Sequence, residues 1–258
     1  MVTVRRSAPG ALLFTALAVA TAACGASGGA PSSGASHAVS LSPQAVSDPL
    51  ASWTAERIVR QAQTDTLAAP YVRVAGNVSS SGQQIAFDLT MVAGTGCKGS
   101  MTEQGIGSFT LVSLGKTVWV LPDAQFYKSE VGQNPNAQLA ETLLAGKYLE
   151  DTEGTGLGSL ASMCSLKSML GSSSGSAADD AGTTKAGTAM IDGQRAVKLV
   201  NAKQHGTAYV TDTTKPEVLQ IAVAGSGGGS LSFTYYTTPP AITPPPTSQT
   251  IDGSKYGF

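Results

Sequence analysis

DGQRAVKLVNAKQHGTAYVTDTTKPEVLQI (residues 192–221) is a run of short extended segments punctuated by turns. Asp192-Gly193 is a strong hairpin signal, because a two-residue turn needs positive φ and these residues tolerate it. RAVKLVNA, GTAYVTD and VLQIAVA then read as strands, with Thr214-Lys215-Pro216-Glu217 as an intervening turn. Strands spaced this closely form an antiparallel meander.

Working outward, the same period of two persists. QIAFDLTMV (84–92) places Ile85, Phe87, Leu89 and Met91 on one face and Ala86, Asp88 and Thr90 on the other. YVRVAGNVS precedes it across SSSGQ, while KGSMTEQ, SFTLVSL and TVWVLP follow, separated by glycine-containing turns. TTKAGTAMI leads into the hairpin, and LSFTYY follows the turn at Gly225–Gly229. Helical pattern is rarer. Asp48 is placed as an N-cap with Pro49 in the first turn, Leu50, Trp53, Ile58 and Ala62 follow helical spacing, and Pro70 marks the end. PDAQFYKSEV reads as irregular, AQLAETLLAG (137–146) as helical, KYLE as a short extended piece, and LGSLASMCSLKSML (157–170) as a second helix carrying Cys164. GSSSGSAADDAG (171–182) is a low-complexity loop.

About ten strands in one meander, with a few helices, predict an α+β fold built on a single large curved antiparallel β-sheet. Such a sheet curls into a half-barrel, and the helices cover its concave face. One domain over residues 48–248 is expected, because neither half alone supplies a closed core; residues 249–258 are placed as a C-terminal tail.

Composition excludes several functions. The net charge of −1 and the 13% of charged residues offer no basic face for phosphates, so no nucleic-acid partner is expected. Arg5 and Arg6 precede an uncharged run, ALLFTALAVATA (11–22), too short to span a bilayer, which needs ~20 apolar residues. Residues 1–23 therefore read as an export signal peptide. Thr21-Ala22-Ala23-Cys24 resembles a bacterial lipobox, which would make Cys24 the lipid attachment site and anchor the chain on the outer face of the cytoplasmic membrane. Thr21 stands where that pattern favours an aliphatic residue, and Ala20-Thr21-Ala22 also fits ordinary cleavage, which would release a secreted protein with Cys24 as a free thiol. Residues 24–47, rich in Gly, Ser and Ala, read as a flexible tether. Lipidation of Cys24 would leave an even pair, Cys97 and Cys164, either as one disulfide or as two buried thiols.

Catalytic and metal patterns fail on their context. Gly171-Ser172-Ser173-Ser174-Gly175 matches a serine-hydrolase elbow, but it follows a helix inside a Ser/Gly tract, and the chain has only His37 and His205 to act as base. Gly115-Lys116-Thr117 lacks the upstream glycine of a phosphate loop, since position 110 is Thr110. Gly154–Gly158 lacks dinucleotide spacing, and His205 has no companion at metal-ligand spacing. Neither an enzyme nor a cofactor is expected.

The order of elements resembles the actinobacterial lipoproteins of the LppX/LprG type and, more distantly, the LolA-like lipoprotein carriers. The likeness is carried by the N-terminal helix, TVWVLPDAQFYKSEV, GKYLED, the run 192–221 and the closing YYTTPPAITPPP. It implies a half-barrel around helices, with an apolar cavity that takes acyl chains or lipidated molecules. A monomer, tethered to the membrane and acting in envelope lipid transport, would follow. Alternation turns Phe87, Leu89, Met91, Leu111, Val120, Leu199, Ile221 and Phe233 inward as candidates to line that cavity, the other reading of each being ordinary core. A sensory or scaffold module that binds a protein partner is the alternative function.

Overall fold

Turn chemistry sets the chain's path. At Asp192-Gly193 φ is +48° and +77°, the pair of positive values a two-residue hairpin requires. The computed structural model describes residues 48–80, 82–131, 142–152, 157–171, 180–225 and 227–253. The signal peptide, Cys24, the tether and the end of the tail lie outside the described residues, as do 137–141 of the expected helix 137–146 and most of 171–182.

The strands are β1 (Tyr71–Ser80), β2 (Gln83–Val92), β3 (Gly96–Glu103), β4 (Gly107–Leu114), β5 (Thr117–Pro122), β6 (Tyr148–Asp151), β7 (Thr183–Ile191), β8 (Gln194–Asn201), β9 (Gly206–Thr211), β10 (Val218–Val223), β11 (Gly229–Tyr235) and β12 (Thr250–Asp252). They form one open sheet in the order β12-β6-β5-β4-β3-β2-β1-β11-β10-β9-β8-β7. Two consecutive meanders, β1–β6 and β7–β11, meet at the antiparallel pair β1/β11, where Val74 lies opposite Phe233. Every pairing is antiparallel except β12 against β6.

The fold class expected from the sequence is the one observed, with twelve strands rather than about ten. The difference is β6, whose four residues overlap the piece KYLE read as extended, and β12, whose three residues are too short for alternation to register. Residues 250–252, placed in the tail by the sequence, therefore belong to the sheet.

Period-2 alternation buries one face. Val72, Val74, Leu89, Met91, Leu111, Val118, Val120, Leu199 and Phe233 form the core on the concave side. Helix α1 (Ala55–Leu67) lays Ala55, Ile58, Ala62 and Thr66 against it, a spacing of three and four residues that makes one stripe. Its N-cap is Thr54, whose side chain accepts from the Arg57 N–H, not Asp48. Residues 48–53 instead form turns, Ala51 N–H to Asp48 C=O and Trp53 N–H to Leu50 C=O, and Lys185 Nζ binds the Leu50 and Ala51 carbonyls.

Two further segments differ from the sequence reading. PDAQFYKSEV contains α2 (Ala124–Val131), started by Asp123, whose carboxylate accepts from the Phe126 N–H at 2.7 Å. Burial raises the Asp123 pKa, but hydrogen bonds from the Ser108 hydroxyl and the backbone N–H groups of Phe126 and Ser108 outweigh it, leaving the carboxyl below the usual range. The expected second helix is instead a 3₁₀ segment, Leu157–Cys164, followed by α3 (Leu166–Gly171). Ser165 divides them: its hydroxyl accepts from the Ser168 N–H and starts the second piece. No helix among the described residues is long and apolar enough to cross a membrane.

Candidate functional site

The concave face is not filled evenly. In the first meander the inner row runs Val74, Leu89, Gly99, Leu111 and Val120; its four large side chains are buried, and at Gly99 an added Cβ would lie 1.9 Å from the Asp88 carbonyl oxygen, so the glycine opens no space. At the second meander the registers place Leu199, Ala208, Ile221 and Leu231 in one inner row and Asn201, Gly206, Val223 and Gly229 in the next. Small residues at the centre of both rows leave space. A Cβ added to Gly206 would meet no heavy atom within 4 Å.

The result is a cleft of about 360 Å³ between these strands, Val59 of α1 and Leu170 of α3. A smaller space of about 130 Å³ shares Val59, Leu170, Leu199, Ala208 and Ile221 with it and runs on to Thr66, Val210 and Val218. The larger one lies within the ~300–1,000 Å³ typical of ligand sites.

The far end of the smaller space is closed by a buried polar knot. Tyr235 donates its hydroxyl proton to the Val218 carbonyl at 2.6 Å, and the Thr66 hydroxyl accepts from the Val218 N–H at 3.0 Å. The phenol has only one proton, so at the 3.1 Å contact between the two hydroxyls Thr66 donates to Tyr235. Both hydroxyl protons are thereby used and each oxygen accepts one bond, so α1, β10 and β11 are locked together. Burial, reinforced by the charge of Glu217 and only partly offset by Thr66, holds the Tyr235 phenol well above the ordinary tyrosine range. Tyr235→Phe is expected to cost about 1–3 kcal/mol in denaturant unfolding, because the Thr66 proton and the Val218 carbonyl lose their partner. A raised folded-state pKa also means that the knot's contribution is complete below the unfolded tyrosine pKa of about 10 and is lost as pH rises through the folded value. Denaturant midpoints measured from pH 9 upward check the sign; the fall should be smaller in the Tyr235→Phe protein.

The other end of the cleft is polar. Asp180, Thr183, Asn201, Gln204 and Thr207 line it, Asp180 being the one ionisable side chain among the described lining residues. Asn201 is held from two sides, donating to Thr183 Oγ1 at 3.2 Å and accepting from the Lys203 and Gln204 N–H groups.

Cys97 of β3 and Cys164 at the end of the 3₁₀ segment form a disulfide, with Cα atoms 5.2 Å apart. The bond pins the cover of the concave face to the sheet beside a small space of about 190 Å³ lined by Val72, Met91 and Leu166.

Of the inward-facing residues named from alternation, Leu199 and Ile221 line the cleft. Leu89, Leu111, Val120 and Phe233 are buried in the core, Phe87 packs against it, and Met91 borders the space beside the disulfide. The sequence reading missed Val59, Ala208, Leu231 and Asp180. Glycine and alanine at inward positions of β9 are the signal the sequence offers for open space there. His205 sits in the β8–β9 turn at φ +51°, and among the described residues no three His, Cys, Asp or Glu side chains gather as a metal site would require.

No family model and no curated protein matches the chain. Among solved structures it is similar to LprF from Mycobacterium bovis, at 13% identity and a TM-score of 0.46 over 74% of this chain and 96% of that one. Lipoprotein LppX from Mycobacterium tuberculosis gives 15% identity and a TM-score of 0.42 over 76% and 100%. A LolA superfamily protein from Nitrosomonas europaea follows at 10% and 0.22, over 70% and 91%. The likeness is one of fold. It carries no argument about a ligand, which rests on the cleft itself.

Proposed function

We propose that the chain is a non-catalytic, membrane-tethered lipoprotein that holds the acyl chains of a lipid or lipidated molecule in its concave cleft and serves in envelope lipid transport. The observation that carries this is the cleft: about 360 Å³ of space between helix and sheet, apolar along Val59, Leu199, Ile221 and Leu231 and polar at one end. Each methylene moved there from water gains about 0.8 kcal/mol, so ten would contribute about 8 kcal/mol before the costs of ordering the chain. The polar end gives hydroxyl, amide and carboxylate groups a head group can meet.

The test is mass spectrometry of organic extracts from the protein purified without detergent, together with titration by a fluorescent fatty acid. A lipid at near-stoichiometric amount supports the proposal. An empty protein that takes up no fatty acid overturns it in favour of a scaffold or sensor.

Anchoring through Cys24 belongs to the same proposal, with the domain on the outer side of the cytoplasmic membrane and monomeric. Cys24→Ala should move the protein from the membrane fraction to the medium, and retention on the membrane would contradict the anchor.

A further inference from the structure

The outer face of the sheet carries a second recess of different chemistry. After β11 the chain crosses this face toward the opposite edge. It is tied at one side by the Tyr236 N–H to the Tyr71 carbonyl at 3.1 Å. At the other side Lys147 Nζ binds the Ser248 carbonyl at 2.9 Å, and β12 pairs with β6. Between these ties no backbone hydrogen bond joins residues 237–245 to the sheet among the described residues. Pro239, Pro240, Pro244, Pro245 and Pro246 keep this strap extended and deprive it of N–H donors. It stands off the sheet over a groove of about 690 Å³.

The groove's lining combines hydroxyls, charged groups and aromatic rings. Tyr148 lies at its β6 side and Tyr236, 36% exposed, at its β11 side, so aromatic rings flank both ends. From β11 to β6 six strand spacings of about 4.8 Å separate these sides, roughly 29 Å. The floor presents Thr90, Ser100 and Thr110 hydroxyls around a rigid pair in which Arg73 Nε donates to Asp88 Oδ1 at 2.7 Å. That pair is about half exposed, which leaves the remaining guanidinium N–H groups and carboxylate lone pairs facing solvent. Lys98 is the third ionisable group on the floor and has no ion-pair partner among the described residues. The floor charge is therefore +1: two cations against one anion.

An acyl chain would leave these polar groups unpaired. A nucleic acid would find a single uncompensated cation, too few to release many counterions. A sugar chain meets every feature: rings and proline faces to stack on, paired donors and acceptors for its hydroxyls, and length to match. From this arrangement we propose that the strap and the outer face of β1–β6 form an oligosaccharide-binding groove, and that Lys98 makes it favour a sugar chain bearing carboxylates. The groove is separate from the concave cleft and stands whether or not the cleft holds lipid.

The test titrates the full-length protein with a galacturonic acid hexamer and a neutral glucose hexamer, followed by NMR amide shifts. Shifts confined to residues around Arg73, Lys98, Tyr148, Tyr236 and Thr243 are expected for both, with the acidic hexamer tighter by severalfold at low salt. Lys98→Gln should abolish that difference, and Tyr236→Ala should weaken both sugars roughly tenfold. Uptake of a fluorescent fatty acid serves as the control and should not change. Absence of shifts with either hexamer at millimolar concentration overturns the proposal, as do shifts insensitive to Tyr236→Ala. Because Tyr236 is exposed, that variant keeps the fold; a thermal melt verifies it before titration.

Discussion

Gly206→Leu combined with Ala208→Phe is expected to remove acyl-chain uptake and leave the protein folded. Both residues face the concave side, in neighbouring inner rows of β9. The backbone at Gly206 is not in the left-handed region and its added side chain enters open space, so the glycine is there for room and not for conformation. Removing a strand glycine recovers about 0.5–1 kcal/mol of backbone entropy. If the two new side chains displace about five methylenes of a bound chain, the loss is about 4 kcal/mol, near 10³-fold in affinity. The melting temperature decides what the cleft is. A filled core would be overpacked and lose about 1–3 kcal/mol, whereas an open cleft accepts both side chains with little change. Lost uptake with an unchanged melt supports the carrier; full uptake in the variant would remove the cleft from the mechanism.

Cys97→Ala with Cys164→Ala has the largest expected effect on stability. The bond closes a loop over a sequence separation of 67 and ties the 3₁₀ cover to β3. Loop closure of that size is worth about 4 kcal/mol in the chain-entropy account. For a domain of this size that corresponds to a fall of about 10 °C in the melting temperature. Reductant should reproduce the shift in the native protein and do nothing to the double variant. Equal melts with and without reductant would show that the bond is absent or inert. Native Cys97 is wholly buried, so alkylation should require reduction first.

How much of this was legible follows from what each signal needs. The period-2 face of QIAFDLTMV and the Asp192-Gly193 turn are local, and both appear as read: β2 buries Leu89 and Met91, and the turn has its positive φ values. Pairing of β1 with β11 and the parallel β12 depend on contacts distant in sequence, for which alternation carries no information. The start of α1 was misplaced because Asp48-Pro49 is a good cap in isolation, while burial of Leu50 in a turn and the Lys185 contact to its carbonyl won. Asp123, after a strand and before Ala-Gln-Phe, is a helix start signal, and it outweighs the irregular look of PDAQFYKSEV. For the site, alternation finds inward faces and does not distinguish filled from empty; that difference lies in Ala208 and Gly206 opposite Ile221 and Val223.

The seam between the two meanders also governs the order of events during synthesis. Strands β1 to β5 follow one another with short turns and can pair as they emerge, but the free edge of β1 waits for β11, which brings Val72 to Tyr235. Until then the first meander has an unpaired edge carrying Val72, Val74 and Val78, the kind of edge that recruits other chains. Non-local pairing of this sort folds slowly. Overproduction is therefore expected to fail by aggregation of the first meander before it fails by instability of the finished fold.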